Sequence, residues 1–262
     1  MKACSKSIIK KGDIFMGFKE LVSTYQSFYT NFSVTGSTLP AGATMPETIK
    51  LRLPYFQSHD GIYGGKSSYA DIQNAIRNKY FNTQTGHWNK SAATIQSEIN
   101  SAPDSEKKIY GMDCSGLVYF VLNESTKPST TDDMTKGALY SQFKVSYANG
   151  VSANNLTSTS NGVQKTRAQD MVVGCTMRSD NGGHVLVIYQ VDKNSSGIVT
   201  KIYYAHSNGS DGPHTGTITI GDSTKDLKDA KQTWNDIAYT DSVAKNYYNY
   251  TILLNNLIPY AS

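Results

Sequence analysis

The sequence predicts an α+β fold, and two patterns along the chain carry that expectation. Apolar residues recur at helical spacing through most of the first half, whereas the second half is a succession of short β-branched and aromatic runs separated by Gly, Asn and Ser. Helices that precede a run of antiparallel strands pack against the sheet, which is the α+β arrangement. With 38% apolar and 18% charged residues, a chain of 262 residues carries enough apolar material for a full core and too little charge to stay disordered.

The elements follow in order. Ile14, Phe15, Phe18, Leu21, Val22, Tyr25, Phe28 and Tyr29 space an amphipathic helix within residues 12–34; its polar face is not especially basic, so docking on the main domain is expected rather than a membrane-surface role. Pro40, Gly42, Pro46 and Pro54 punctuate residues 36–54 as a wrapping linker. Ser67 or Ser68 caps a helix over 69–77 and Ser91 caps another over 92–99, with Gly86-His87-Trp88 in a loop between them. A buried helix starts at Asp113-Cys114-Ser115 and runs through Leu117, Val118, Phe120 and Val121. A short helix over 133–143 and a Ser/Thr/Asn-rich loop over 152–161 come next, then strands at 171–177, 184–191, 198–206, 215–221 and 248–257.

Cysteine chemistry is the pattern with functional content. A thiol at a helix N-terminus meets the positive end of the macrodipole, which favours the nucleophilic thiolate, and the first-turn amides face the place where an oxyanion would form. His184 opens a strand in Gly183-His184-Val185, placed to act as general base on Cys114. His206 closes the next strand in Tyr204-Ala205-His206-Ser207, and an antiparallel pairing would set it behind His184 to orient the ring. His214, eight residues on, is the alternative third residue. A thiolate–imidazolium pair at rest is one expectation for Cys114 and His184.

These residues, with Gln169-Asp170-Met171-Val172-Val173 ahead of the histidine strand, resemble the NlpC-type cell-wall cysteine peptidases of the NlpC/p-sixty superfamily. The resemblance covers roughly the second half of the chain. It implies a papain-like core, an antiparallel sheet packed on the nucleophile helix, and hydrolysis of bacterial peptidoglycan stem peptides through a thioester. Cys114, His184 and His206 take the catalytic positions, and Asp113 and Ser115 the positions that contact substrate near its amino end. The family's Tyr-x-Trp-Gly-Gly segment matches Gly61-Ile62-Tyr63-Gly64-Gly65, with Gly61 in place of the tyrosine and Tyr63 in place of the tryptophan; Tyr63 is the substrate-binding candidate there. The chain then divides into residues 1–50, a helix and linker packed on the core, and residues 51–262, the NlpC-type domain with a helical insertion at about 66–110. An amidase or acyltransferase on the same scaffold, or a catalytically silent wall-binding module, are the alternatives.

Composition narrows the partners. The net charge of +4 is spread over scattered lysines, which suits attraction to anionic wall polymers and disfavours nucleic-acid binding. Stem peptides are the expected partner, and a protein inhibitor or immunity partner is left open. Three cysteines, Cys4, Cys114 and Cys175, form no metal motif, and Cys175 reads as a structural thiol in a buried strand. Asp211 has too few carboxylates around it for calcium, so no metal or other cofactor is expected. Apolar runs are too short to cross a membrane and stable membrane insertion is not expected. Met1-Lys2-Ala3-Cys4-Ser5-Lys6 lacks the apolar core of a signal peptide, so a secreted or envelope location implies prior processing or another export route.

Overall fold

The computed structural model of the chain describes residues 16–36, 47–58, 61–62, 64–128, 131, 133–145, 148–178, 183–209, 211–237 and 250–261. Among them lie seven α-helices: α1 (Phe18–Thr30), α2 (Tyr69–Tyr80), α3 (Ala92–Asn100), α4 (Asp104–Tyr110), α5 (Cys114–Glu124), α6 (Ala138–Phe143) and α7 (Ala153–Leu156). The strands are β1 (Ser33–Thr35), β2 (Thr48–Lys50), β3 (Phe81–Asn82), β4 (His87–Trp88), β5 (Gly162–Gln164), β6 (Thr176–Arg178), β7 (Val185–Lys193), β8 (Val199–Asn208), β9 (Gly212–Ile220), β10 (Gln232–Asn235) and β11 (Tyr250–Leu254). Seven of them form one antiparallel sheet in the order β10-β9-β8-β7-β6-β11-β5. The α+β class predicted from the sequence is the class observed.

Helix α5 is the axle of the core. Every residue from Cys114 to Asn123 is buried, and the helix packs on β7 and β8 with α1, α6 and α7 around it. Each fully buried Leu, Val or Phe side chain stabilises the fold by about 1.5–3 kcal/mol. Helix α1 turns Val22, Gln26 and Tyr29 inward, while Phe28 stays 38% exposed, so the predicted docking helix is present over a shorter span. Ile14 and Phe15 of that prediction lie outside the described residues. Val22 and Tyr29 of α1, Ile72, Ile76, Ile95 and Ile99 of α2 and α3, and the inner face of the sheet belong to one continuous apolar cluster.

Several predicted elements differ from what is observed. The linker at 36–54, outside its undescribed part at 37–46, pairs as β2 against β1, an antiparallel ribbon whose partner residues are too few to show a strand pattern in sequence. The loop over 152–161 contains α7, because Ser152 and Asn155 form a reciprocal capping box that closes one helical turn. The strand over 171–177 is only β6, since Gly174 at φ 90° turns the chain and the amide of Cys175 bonds back to Val172. Helix α4, β5 and β10 had no sequence prediction, and the predicted 133–143 helix is broken at Gly137, which is extended. Both capped helices form, with Ser68 and Ser91 as the N-caps.

The loop that delivers Cys114 is held from three sides. Met112 N–H donates to the Pro54 carbonyl, the Met112 carbonyl accepts from Ser207 Oγ at 2.6 Å, and Asp113 N–H donates to the Gly65 carbonyl at 2.7 Å. Gly65 in turn donates to the Lys108 carbonyl, and its φ of 73° and the Phe56 carbonyl beside it leave no place for a side chain. Gly65→Ala is expected to lower unfolding free energy by about 1–3 kcal/mol, read as a shifted urea midpoint at unchanged slope. An unshifted midpoint would mean that this contact does not hold the loop.

Candidate active site

The nucleophile candidate owes its place to a helix cap. Asp113 is extended (φ −87°, ψ 172°) and its Oδ1 accepts the Gly116 amide at 2.5 Å, so the helix begins at Cys114. Ser115 donates to the same carboxylate oxygen at 3.1 Å. Lys66, almost buried, donates to Ser115 Oγ at 2.7 Å and to the Val151 carbonyl at 2.8 Å, and lies 3.5 Å from Asp113 Oδ2. Asp113 and Ser115 are thus engaged with the helix and with Lys66, although both also line the cleft beside Cys114.

That cleft has a volume of about 290 Å³. Tyr55, Gln57 and Ser58 of the 55–58 segment and Ser152, Ala153 and Asn154 at the start of α7 line it. Cys114 is 6% exposed at its floor. Cys114 and Cys175 are both free thiols, which leaves the sulfur available for chemistry.

His184 immediately precedes β7, and the residues on both sides of it meet the sulfur. The Gly183 carbonyl lies 4.0 Å from Sγ, and the Val185 amide forms a hydrogen bond that favours the thiolate. His184 Nε2 is 2.8 Å from Nδ1 of His206, with the rings edge-on at 82°. Strand β8 pairs antiparallel with β7, so the expected placement of His206 behind His184 is the observed one. Since Nε2 faces His206, the nitrogen through which His184 could exchange a proton with the thiol is Nδ1.

Behind His206 stands a group that the sequence did not disclose. His206 Nε2 is 2.9 Å from Asp236 Oδ2, and Tyr204 donates its hydroxyl to the same oxygen at 2.7 Å. His214, directly opposite His206 in the β8–β9 register, reaches Asp236 Oδ1 through Nε2 at 3.0 Å and the Gly212 carbonyl through Nδ1 at 2.8 Å. His214 therefore joins His206 rather than replacing it. Asp236 lies just past β10, and Trp234 and Asn235 pair with β9; a four-residue edge strand with one apolar inward residue offers no sequence pattern to find it. His206, His214 and Asp236 also bring three donor atoms within 4.8 Å of one another, a set of metal-ligand type that no linear motif announces.

Burial decides the charge states. The thiol of Cys114 is pushed up to about 12 by burial and by the Asp113 carboxylate, against the opposing pull of the Val185 amide and Lys66. His184 is pushed down to about 3 by burial and by the neighbouring histidines, and His206 down to about 4 by burial and by His214, despite Asp236. Burial works against the charged form of His214, but Asp236 and the Gly212 carbonyl outweigh it and the net shift is upward. Burial likewise opposes the Asp236 carboxylate, yet hydrogen bonds from His206, His214 and Tyr204 hold it well below the usual carboxylate range.

These shifts run against the expected resting thiolate–imidazolium pair: burial favours the thiol form of Cys114 and the neutral imidazole of His184. The helix end is in place, but its pull is smaller than the cost of burying a thiolate next to Asp113. Tyr63, the remaining site candidate, lies outside the described residues, as does Cys4. His87 is exposed in β4, and Trp88 donates its indole N–H to the Glu47 carbonyl.

Comparison of the chain with protein-family models, with curated proteins and with solved structures finds no match. No helix among the described residues is long and apolar enough to cross a membrane.

A raised thiol pKa loses its proton only as pH climbs, so alkylation of Cys114 by iodoacetamide should be slow at about pH 7 and rise without a plateau toward strongly alkaline pH. A pH-independent fast rate between about pH 5 and 8 would restore the resting ion pair.

Proposed function

We propose that this chain is a cysteine peptidase of the NlpC type that cleaves stem-peptide bonds of bacterial peptidoglycan, working in a secreted or envelope compartment. The observation that supports the reading most is the hydrogen bond between His184 and His206, formed where the neighbours of His184 touch the Cys114 sulfur. The antiparallel sheet against a buried helix that starts on the cysteine is the arrangement expected of a papain-like core.

In this reading His184 takes the thiol proton at the moment of attack rather than beforehand, because both groups are neutral at rest. The sulfur bonds to the scissile carbonyl carbon while the Cys114 amide at the helix start faces the oxyanion. His184 then passes its proton to the leaving amine, and water hydrolyses the thioester. His206 orients His184. No cofactor is assigned to these steps.

An amidase or acyltransferase on the same residues is the second reading, favoured by one feature. Lys66, Ser115 and the Gly116 amide occupy the Asp113 carboxylate, which the family resemblance would leave for the amino end of the substrate. That occupancy points to an acyl donor bound by other groups. A silent wall-binding module has no use for a polar chain buried behind a cysteine.

The test is release of soluble fragments from purified peptidoglycan. Cys114→Ala and His184→Ala are expected to lower the rate by at least about 10³-fold, and His206→Ala by less, because water can partly orient the base. Mass spectrometry of the new termini separates peptidase from amidase and transferase. Undiminished release by Cys114→Ala would end the proposal.

A further inference from the structure

The polar chain that begins at His184 runs through His206 to Asp236, and its far end decides where the histidine protons sit. We propose that Asp236 is a positioning residue: by accepting from His206 it fixes the tautomers of both His206 and His184, so that His184 presents a bare Nδ1 for the thiol proton. The proposal rests on the reading of Cys114 and His184 as nucleophile and base.

The argument is one of donors and acceptors. Hydrogen bonds from Tyr204, His206 and His214 favour the ionised Asp236, which has no proton to give, so at 2.9 Å the hydrogen sits on His206 Nε2. His206 is fully buried and neutral and carries one ring proton, which leaves its Nδ1 as a lone pair. Two bare nitrogens do not sit 2.8 Å apart, so His184 Nε2 carries the hydrogen between the rings. A neutral His184 has spent its single proton there, and its Nδ1 is bare.

His214 accounts for the charge. Its Nδ1 faces a carbonyl oxygen and its Nε2 faces a carboxylate oxygen, both acceptors, so both nitrogens carry hydrogens and the ring is an imidazolium. It offsets the Asp236 charge in a region where both Asp236 oxygens are inaccessible. Gly216 supplies the space: it pairs with Tyr204 in the sheet, and a Cβ there would run into Tyr204 Oη and Asp236 Oδ2.

The proton balance is local. As the S–C bond forms, the S–H bond breaks and its proton goes to His184 Nδ1; the carbonyl π pair moves to oxygen. The same proton later leaves with the amine. His206 keeps its Nε2 hydrogen and Asp236 stays an ionised acceptor throughout, so Asp236 acts through another residue and touches no substrate.

Nitrogen-15 NMR of the full chain labelled at histidine tests this without any variant. At about pH 7, His184 and His206 should both show a protonated Nε2 and a bare Nδ1, and His214 should show two protonated nitrogens. In Asp236→Leu the acceptor is gone; both tautomers of His206 and His184 should appear, and turnover should fall about 10²- to 10⁴-fold with KM little changed. Asp236→Asn should restore the wild-type pattern at His184 and His206 and most of the rate. Its amide oxygen can accept from His206 while its N–H donates to His214, which would then lose its second proton.

A wild-type His184 protonated on Nδ1 would overturn the proposal. So would wild-type tautomers and turnover in Asp236→Leu, or one tightly bound zinc per purified chain, which would require bare Nε2 atoms on His206 and His214. An inactive wild type that shows the expected tautomers would instead count against the peptidase reading alone.

Discussion

The hydrogen bond between Nε2 of His184 and Nδ1 of His206, 2.8 Å long, joins the mouth of one central strand to the neighbouring strand. Every other feature of the site is arranged around it. On one side, Gly183 and Val185 bring the chain of His184 against the sulfur of Cys114. On the other, β8, β9 and the residue after β10 each contribute one group to the cluster that grips His206. A hydrogen bond between two neutral rings is weak in water but strengthens in a dry interior, and there it also acquires direction, because the proton can sit on only one of the two nitrogens.

Dryness has a consequence for the Cys114 thiol. The helix start, Val185 and Lys66 all favour a thiolate at Cys114, yet burial and the Asp113 carboxylate outweigh them. Asp113 caps the helix start that places the sulfur, so the cap that positions Cys114 also discourages its ionisation. Lys66 moderates this conflict from 3.5 Å. In the proposed reading, such a site carries no charge on the sulfur at rest and needs a base with a free lone pair, which is the logic of a serine-type relay applied to a thiol.

How far these features were legible in the sequence follows from how local each one is. Asp113 as cap, the apolar run after Cys114, and His184 at the mouth of a β-branched strand are short-range signals, and the fold carries each of them. His206 was reachable because two consecutive strands joined by a tight turn pair antiparallel. Asp236 was not, since it follows an edge strand far along the chain, and its meeting with His206 is a matter of sheet order rather than spacing. Lys66 escaped for the same reason: long-range contacts such as the Lys66–Met112 bridge bring it to the loop that precedes Cys114. The charge states were illegible because they depend on burial, and helix polarity alone points the other way. Helix α7 was hidden by composition, as the Ser and Asn residues that suggest a loop are the ones that cap it.

Covalent acyl transfer through Cys114 is the claim on which the functional account stands. The most direct measurement is turnover of purified peptidoglycan in the presence of hydroxylamine, with the products identified by mass spectrometry. An acyl-enzyme should be intercepted, so that hydroxamates appear at the new carboxyl ends with the wild-type chain and vanish with Cys114→Ala. Turnover that yields only free carboxylates at every hydroxylamine concentration, or that persists in Cys114→Ala, would contradict it.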